Sequence, residues 1–164
     1  MEMRKRLISS SGNATLSPVE NWLELKHAVL VEVTSEADGY PVEGALLPGQ
    51  ARGWRAATSG TQIIRLLFDQ PQTIRRIHLV FREYEAGRTQ EFLLRWLPHG
   101  TAAGKEVVRQ QWNFSPPDTT EECEEYKVDL ASADALELSI TADMGRQEVR
   151  ASLDELRLSA RQEA

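Results

Sequence analysis

The polar side chains with the most evident binding chemistry fall on one predicted strand. Arg109, Gln111 and Asn113 alternate with apolar residues in the segment 108–114. Because successive side chains of a strand point to opposite faces, we expect these three on one face. Guanidinium and amide groups form directional hydrogen bonds to sugar hydroxyls or to a polar peptide surface. The pattern therefore indicates an outer sheet face that binds a sugar or a protein.

Two further arginines, Arg82 and Arg88, are predicted to belong to the same interaction face. The alternative is a lattice of ion pairs that only keeps the outer sheet soluble. In that interpretation Arg82, Glu83, Glu91 and Arg95 pair across strands for about 0.2–1 kcal/mol each. The sequence leaves both interpretations open.

No residue pattern indicates catalysis. His27, His78 and His99 are too far apart in sequence for a local metal motif. A phosphate-binding glycine loop, a His-Glu-x-x-His motif and a Gly-x-Ser-x-Gly elbow are all missing. Cys123 lies among four glutamates, whose charge disfavours a reactive thiolate. We therefore predict that the chain is not an enzyme and uses neither a metal nor a cofactor.

Length and charge exclude several classes of protein. The chain has 164 residues, of which 41% are hydrophobic and 27% charged, as in one soluble domain. The net charge of −6 argues against nucleic acid or an anionic membrane as a partner. A lone cysteine and a charged start without an apolar run, in residues 1–13, favour the cytoplasm.

Short alternating segments must position the polar residues. After residue 28 about eight apolar rows recur with turn signals between them, which predicts an antiparallel sandwich. Rows with a period of two include Ile64/Leu66/Phe68, Ile77/Leu79/Phe81, Phe92/Leu94/Trp96, Tyr126/Val128/Leu130 and Leu136/Leu138/Ile140. Asp69-Gln70-Pro71 reads as a turn between two strands, and Val42 to Ser59 as a long loop. Ser17-Pro18-Val19-Glu20 is a capping box that predicts a short helix over Trp22 and Leu23.

The order of these features resembles a known family. Residues 45–54 lead to Trp54, and segment 55–77 continues with a strand, an acidic-x-Pro turn and an apolar strand. This arrangement is similar to the first half of the discoidin, or coagulation factor 5/8 type C, domain, and residues 151–158 are similar to its closing strand. The resemblance implies a galactose-binding-like jelly roll of about eight strands over residues 28–160, after an extension at 1–27 and before a frayed tail at 161–164.

The resemblance also implies where a ligand binds. Sugar-binding members use loops at one end of the sandwich, which makes Tyr40, Arg52, His99 and Trp22 the candidate ligand-binding residues, while Trp54 matches a core position. Related domains often hold calcium through the loop before this Trp and a late Glu. Glu155 matches the Glu, but Leu47, Gly49 and Arg52 are poor ligands for a hard cation. We predict no calcium.

The sequence thus predicts a non-catalytic binding module for a carbohydrate or another polyhydroxylated ligand. The alternative is a subunit that binds a protein, or a second copy of itself as a homodimer, through the face around Arg109.

Overall fold

The computed structural model describes residues 22–144 and 148–162, which form antiparallel strands and one short helix. The predicted all-β class is confirmed. The strands are β1 (Val29–Val33), β2 (Trp54–Arg55), β3 (Gln62–Arg82), β4 (Arg88–Pro98), β5 (Lys105–Phe114), β6 (Glu121–Thr141), β7 (Ser152–Leu153) and β8 (Glu155–Ser159). The helix, α1, spans Glu43–Leu46.

Two long strands, β3 and β6, join the two layers of the sandwich. The first part of β3 pairs with β1 and with the last part of β6. The last part of β3 pairs with β8 and with the first part of β6. The β3–β6 register shifts between Leu67 and Arg76, and such bulges bend a strand. The layers are therefore β1–β3–β6–β4–β5 and β8–β3–β6, while β2 pairs with β7.

The core lies between these layers. Ile77, Leu79 and Phe81 of β3 alternate with more exposed residues and are fully buried, as are Phe92 and Leu94 of β4. The rings of Phe81 and Phe92 stack with their centroids 5.2 Å apart. Because β4 pairs with β5 and β6 but not with β3, this contact joins one layer to the other. Each such side chain contributes about 1.5–3 kcal/mol on burial.

Trp54 occupies the core position that its resemblance implied. Only 1% of the residue is exposed, and its indole Nε1 donates a hydrogen bond to the carbonyl oxygen of Ser35 at 2.9 Å. Buried indoles usually need such a partner. The bond ties the segment after β1 to β2, which matters for the site described below.

Three local predictions are wrong. The chain does not reverse at Asp69-Gln70-Pro71, because β3 continues through these residues with an irregular register. The predicted loop from Val42 to Ser59 contains α1 and β2. Trp22 and Leu23 are not helical, because the backbone N–H of Leu23 donates to Leu158 of β8 at 2.7 Å. The capping box at 17–20 lies outside the described residues.

Candidate functional site

The site begins with a tight turn at Asp38-Gly39. The N–H of Tyr40 donates to the carbonyl oxygen of Ala37 at 3.0 Å, and Gly39 has a φ of 82°. Asp-Gly suits a two-residue turn because glycine adopts positive φ without strain. Ala37 and Tyr40 each form a backbone hydrogen bond with Arg55, at 2.8 and 3.3 Å. The turn is thereby fixed to β2, and Tyr40 lies beside Arg55.

Two arginines lie against the ring of Tyr40. The guanidinium carbons of Arg52 and Arg55 are 5.0 and 5.2 Å from the ring centroid. Cation–π contacts at exposed positions contribute about 0.5–1 kcal/mol each. Both residues are exposed, and within residues 22–144 and 148–162 neither guanidinium forms an ion pair or a hydrogen bond.

The connection between β3 and β4 forms a second wall of the site. Glu83 accepts hydrogen bonds from the backbone N–H groups of Glu85 and Ala86, at 3.0 and 3.1 Å, and from Nε of Arg88 at 2.9 Å. Burial alone would raise the pKa of Glu83, but these hydrogen bonds and the Arg88 charge lower it. The carboxylate thus fixes the turn that carries Tyr84, which is 66% exposed.

The two walls enclose one cavity, which we call the Tyr40–Tyr84 cavity. Its volume is about 210 Å³. Its lining includes the side chains of Tyr40, Arg52, Arg55, Arg82, Tyr84, Glu85 and Asp154. Arg82 pairs with Asp154 and with Glu121, each at 2.8 Å. Its charge is therefore compensated, unlike those of Arg52 and Arg55.

The four residues predicted to bind a ligand separate into two groups. Tyr40 and Arg52 meet in this cavity. His99, in the turn after β4, pairs with Asp134 at 2.9 Å. Trp22 stacks on His78 with centroids 5.8 Å apart, on the outward side of β3. The structure does not bring His99 or Trp22 to the cavity.

The predicted interaction face is also divided. Arg109, Gln111 and Asn113 are exposed on the edge strand β5, and Arg109 pairs with Glu91 at 3.2 Å. Arg82 lies on the other layer, at the Tyr40–Tyr84 cavity. The face therefore retains three neighbouring residues, and Glu91 of the alternative lattice pairs with Arg109 instead of Arg82 or Arg95.

The prediction that Arg88 belongs to an exposed interaction face is wrong. The residue is 4% exposed, because it shares the inward phase of β4 with Gln90 and Phe92. Its guanidinium lies over the ring of Phe114, 4.9 Å from the centroid, and donates to the carbonyl oxygen of Ala142 at 2.7 Å. Burial is the main reason why the pKa of Arg88 is lowered.

Sequence reasoning missed four residues of the cavity, Arg55, Tyr84, Glu85 and Asp154. Arg55 follows the core residue Trp54 and so had to point outward, but only the pairing of β2 with the Asp38-Gly39 turn brings it to Tyr40. Tyr84 is an aromatic residue in a polar connection between strands. An exposed aromatic at such a place is a signal for binding that could have been used.

An arginine holds the loop where related domains often bind calcium. Nη1 of Arg157 donates to the carbonyl oxygens of Ala45 and Leu156, at 2.8 and 3.0 Å. Its side chain lines a pocket of about 140 Å³ with Glu155, and burial lowers the pKa of Arg157. A guanidinium repels a cation and offers donors, whereas calcium needs six to eight oxygen ligands. These residues do not fit a calcium ion.

Two further features concern metals and membranes. Across the described ranges, no group of three or more His, Cys, Asp or Glu residues is arranged to hold a metal ion. No helix in that part of the chain has the length and apolar character to span a bilayer.

Comparisons with known proteins identify the fold. No family model matches this chain, and no curated protein matches it in sequence. The module CBM32-3 from a family 31 glycoside hydrolase of Clostridium perfringens has a TM-score of 0.62 at 17% identity, over 90% of this chain and 100% of that one. The family 32 carbohydrate-binding module of C. perfringens NanJ, solved with galactose, has a TM-score of 0.60 at 15% identity, over 79% and 92%.

A third similar structure is a protein-bound one. Reduced XRCC1, solved with the catalytic domain of DNA polymerase β, has a TM-score of 0.59 at 14% identity, over 87% of this chain and 98% of that one. Identities this low show a shared fold and no more. The chain therefore has the galactose-binding-like jelly-roll fold, as its resemblance to discoidin domains implied.

Proposed function

We propose that this chain is a non-catalytic carbohydrate-binding module whose ligand occupies the Tyr40–Tyr84 cavity. The observation that carries the proposal is the exposed ring of Tyr84, which lines the same cavity as Tyr40 and the guanidinium groups that lie against the Tyr40 ring. A sugar presents an apolar ring face that packs on an aromatic side chain, while its hydroxyls take hydrogen bonds from fixed polar groups.

The size of the cavity suggests what part of a carbohydrate binds. Sites for drug-sized ligands measure about 300–1,000 Å³, whereas this one measures about 210 Å³. One sugar residue, at the end of a chain or as a branch, suits this volume better than a longer segment. The carbohydrate-binding modules among the structural neighbours support the same class of ligand. The cytoplasmic location stays a prediction.

The first test is to remove the exposed ring. We expect Tyr84→Ala to weaken sugar binding about tenfold or more, which corresponds to ~1.4 kcal/mol, because the ligand loses its stacking surface. Tyr84→Phe should keep most of the affinity. Calorimetric titration with a panel of monosaccharides, after a glycan array, measures both.

The matched control is His99→Ala, at a predicted ligand residue that the structure places away from the cavity. Its affinity should equal that of the unaltered protein. Equal affinities for Tyr84→Ala and His99→Ala would contradict the location of the site. An absence of binding to every sugar at millimolar concentration would contradict the function itself.

A second candidate function is protein association through β5. This strand ends the order β1–β3–β6–β4–β5, so one of its edges is unpaired among the strands that the structure describes. Edge strands offer backbone groups that can pair with another chain. Arg109, Gln111 and Asn113 project from it, and the protein-bound state of the XRCC1 neighbour supports this kind of role.

This candidate predicts a dimer that depends on Arg109. Light scattering after size exclusion should give twice the monomer mass, and Arg109→Glu should return it to the monomer mass by placing like charges at the interface. Arg75→Glu, the same change at an exposed position of β3, is the control. A monomer at all concentrations up to about 100 μM, a hundred times a micromolar dissociation constant, would exclude a dimer of useful stability.

A further inference from the structure

Two guanidinium groups at the Tyr40–Tyr84 cavity stand outside its ion pairs. The carboxylate of Glu83 is engaged by Arg88, and Arg82 is engaged by Asp154 and Glu121. In the described part of the chain Arg52 and Arg55 have no such partner. Glu85 also lines the cavity and is exposed. The charges that line the cavity balance in number, but those of Arg52 and Arg55 are not paired with a carboxylate.

Several other arginines of this fold pair closely with carboxylates. Arg65 lies between Glu32 and Glu137, at 2.6 and 2.7 Å. Arg52 and Arg55 differ from Arg65 because both lie beside the Tyr40 ring and neither has a carboxylate partner among the described residues. Each repels the other, and that repulsion falls when an anion lies between or beside them.

The backbone holds these arginines close to their binding positions. A Cβ atom at Gly44 would lie 2.0 Å from the carbonyl oxygen of Arg52, so α1 packs directly under that residue. A Cβ atom at Gly39 would lie 3.2 Å from Nη1 of Arg52. Arg55 is fixed by its backbone hydrogen bonds to the Asp38-Gly39 turn. Less freedom is then lost when a ligand binds.

We propose that the sugar bound by this cavity is acidic, and that Arg52 and Arg55 bind the carboxylate of a uronic acid. This inference rests on the proposed carbohydrate function and specifies its ligand. Guanidinium groups form short, strong hydrogen bonds to carboxylates, often in pairs. With the carboxylate at Arg52 and Arg55, the ring of the sugar extends across the cavity towards Tyr84.

The test compares sugars that differ only in the carboxylate. D-galacturonic acid is titrated beside D-galactose, and D-glucuronic acid beside D-glucose. We expect each acid to bind about tenfold more tightly than its neutral counterpart, and the difference to shrink as salt screens the charges. Sodium acetate, added as a competitor, should displace the acids only weakly because it lacks the ring.

Single substitutions assign the effect to the arginines. Arg52→Gln and Arg55→Gln should each weaken acid binding about tenfold and weaken binding of the neutral sugar less, so that the preference for the acid is lost. Glu85→Gln should strengthen acid binding by removing an opposing charge at the cavity. Arg75→Gln makes the same change in net charge at a position on β3 outside the cavity and should have no effect.

The outcomes separate this inference from the function on which it rests. Equal affinity for acid and neutral sugars, still lost in Tyr84→Ala, would overturn the uronic acid and leave the carbohydrate site intact. Displacement by acetate as effective as by galacturonic acid would show a general anion site and also overturn it. Binding of neither sugar class would overturn both proposals.

Discussion

Replacing Glu122 by glutamine will remove most of the dependence of stability on pH between about pH 5 and 8. Glu122 is completely buried between the layers of the sandwich. Burial, and after it the nearby Glu124, raise the pKa of Glu122 to about 9. The amide of Gln90 donates a hydrogen bond to Oε1 of Glu122 at 3.2 Å, which offsets only part of that effect. The carboxyl group is therefore neutral in the folded protein at pH 7.

The direction of this pH dependence follows from the protonation of Glu122 in the folded and in the unfolded protein. The unfolded chain ionises this group near pH 4.5, so folding at neutral pH takes up a proton. Stability from this group is complete below pH 4.5 and is lost as the pH rises towards 9. The slope is about 1.4 kcal/mol per pH unit for one proton, or ~4 kcal/mol between pH 5 and 8.

Urea unfolding at several pH values measures the effect. The free energy of unfolding of the unaltered protein should fall with pH, and that of Glu122→Gln should change much less. Glu106→Gln, at an exposed position of β5, is the matched control and should follow the unaltered protein. Parallel pH profiles for Glu122→Gln and the unaltered protein would show that Glu122 is ionised in the fold.

The alternation of apolar residues predicts most of the fold, because it is a local property. The buried rows of β3 and β4 coincide with the predicted rows, and Trp54 is in the core. The predicted turn at Asp69-Gln70-Pro71 is wrong because turn-forming residues also occur at β-bulges. A turn forms when the flanking segments pair with each other, and a bulge forms when they pair with a third strand, here β6. That pairing is not local.

The site was predictable only in part for the same reason. Tyr40 and Arg52 lie on connections, where binding residues are expected. Arg55 reaches Tyr40 through backbone hydrogen bonds between β2 and the Asp38-Gly39 turn, and Tyr84 enters the same cavity from the connection after β3. Arg88 is the opposite case. Arg88 lies on the same face of β4 as the buried Phe92, so the alternation of residues indicated that it is buried. The prediction placed it on the surface because its side chain is charged.

The other large effect is expected for Arg88→Met. The substitution leaves the half-buried carboxylate of Glu83 without its ion pair, and the carbonyl oxygen of Ala142 and the side-chain oxygen of Gln90 without their donor. Removing one partner of a buried ion pair typically costs about 3–5 kcal/mol. Arg109→Met removes an exposed pair on β5 and should cost at most ~1 kcal/mol.

A second substitution separates the lost ion pair from lost packing. If the unpaired charge is the main cost, adding Glu83→Gln to Arg88→Met should restore part of the stability, since replacing both members of a buried pair is often nearly neutral. Urea unfolding of the two single variants and the double variant gives the coupling energy. Equal costs for Arg88→Met and Arg109→Met would contradict the buried pair.

The same variants connect the core to the ligand site. Glu83 accepts hydrogen bonds from Arg88 and from the backbone of the turn that carries Tyr84. Without Arg88, the Glu83 carboxylate loses one of its hydrogen-bond donors and one of the charges that lower its pKa, so it holds the turn that carries Tyr84 less firmly. Arg88→Met should therefore weaken sugar binding even under conditions where the protein stays folded, whereas Arg109→Met should not. Unchanged affinity in folded Arg88→Met would mean that the turn holds Tyr84 without help from the core.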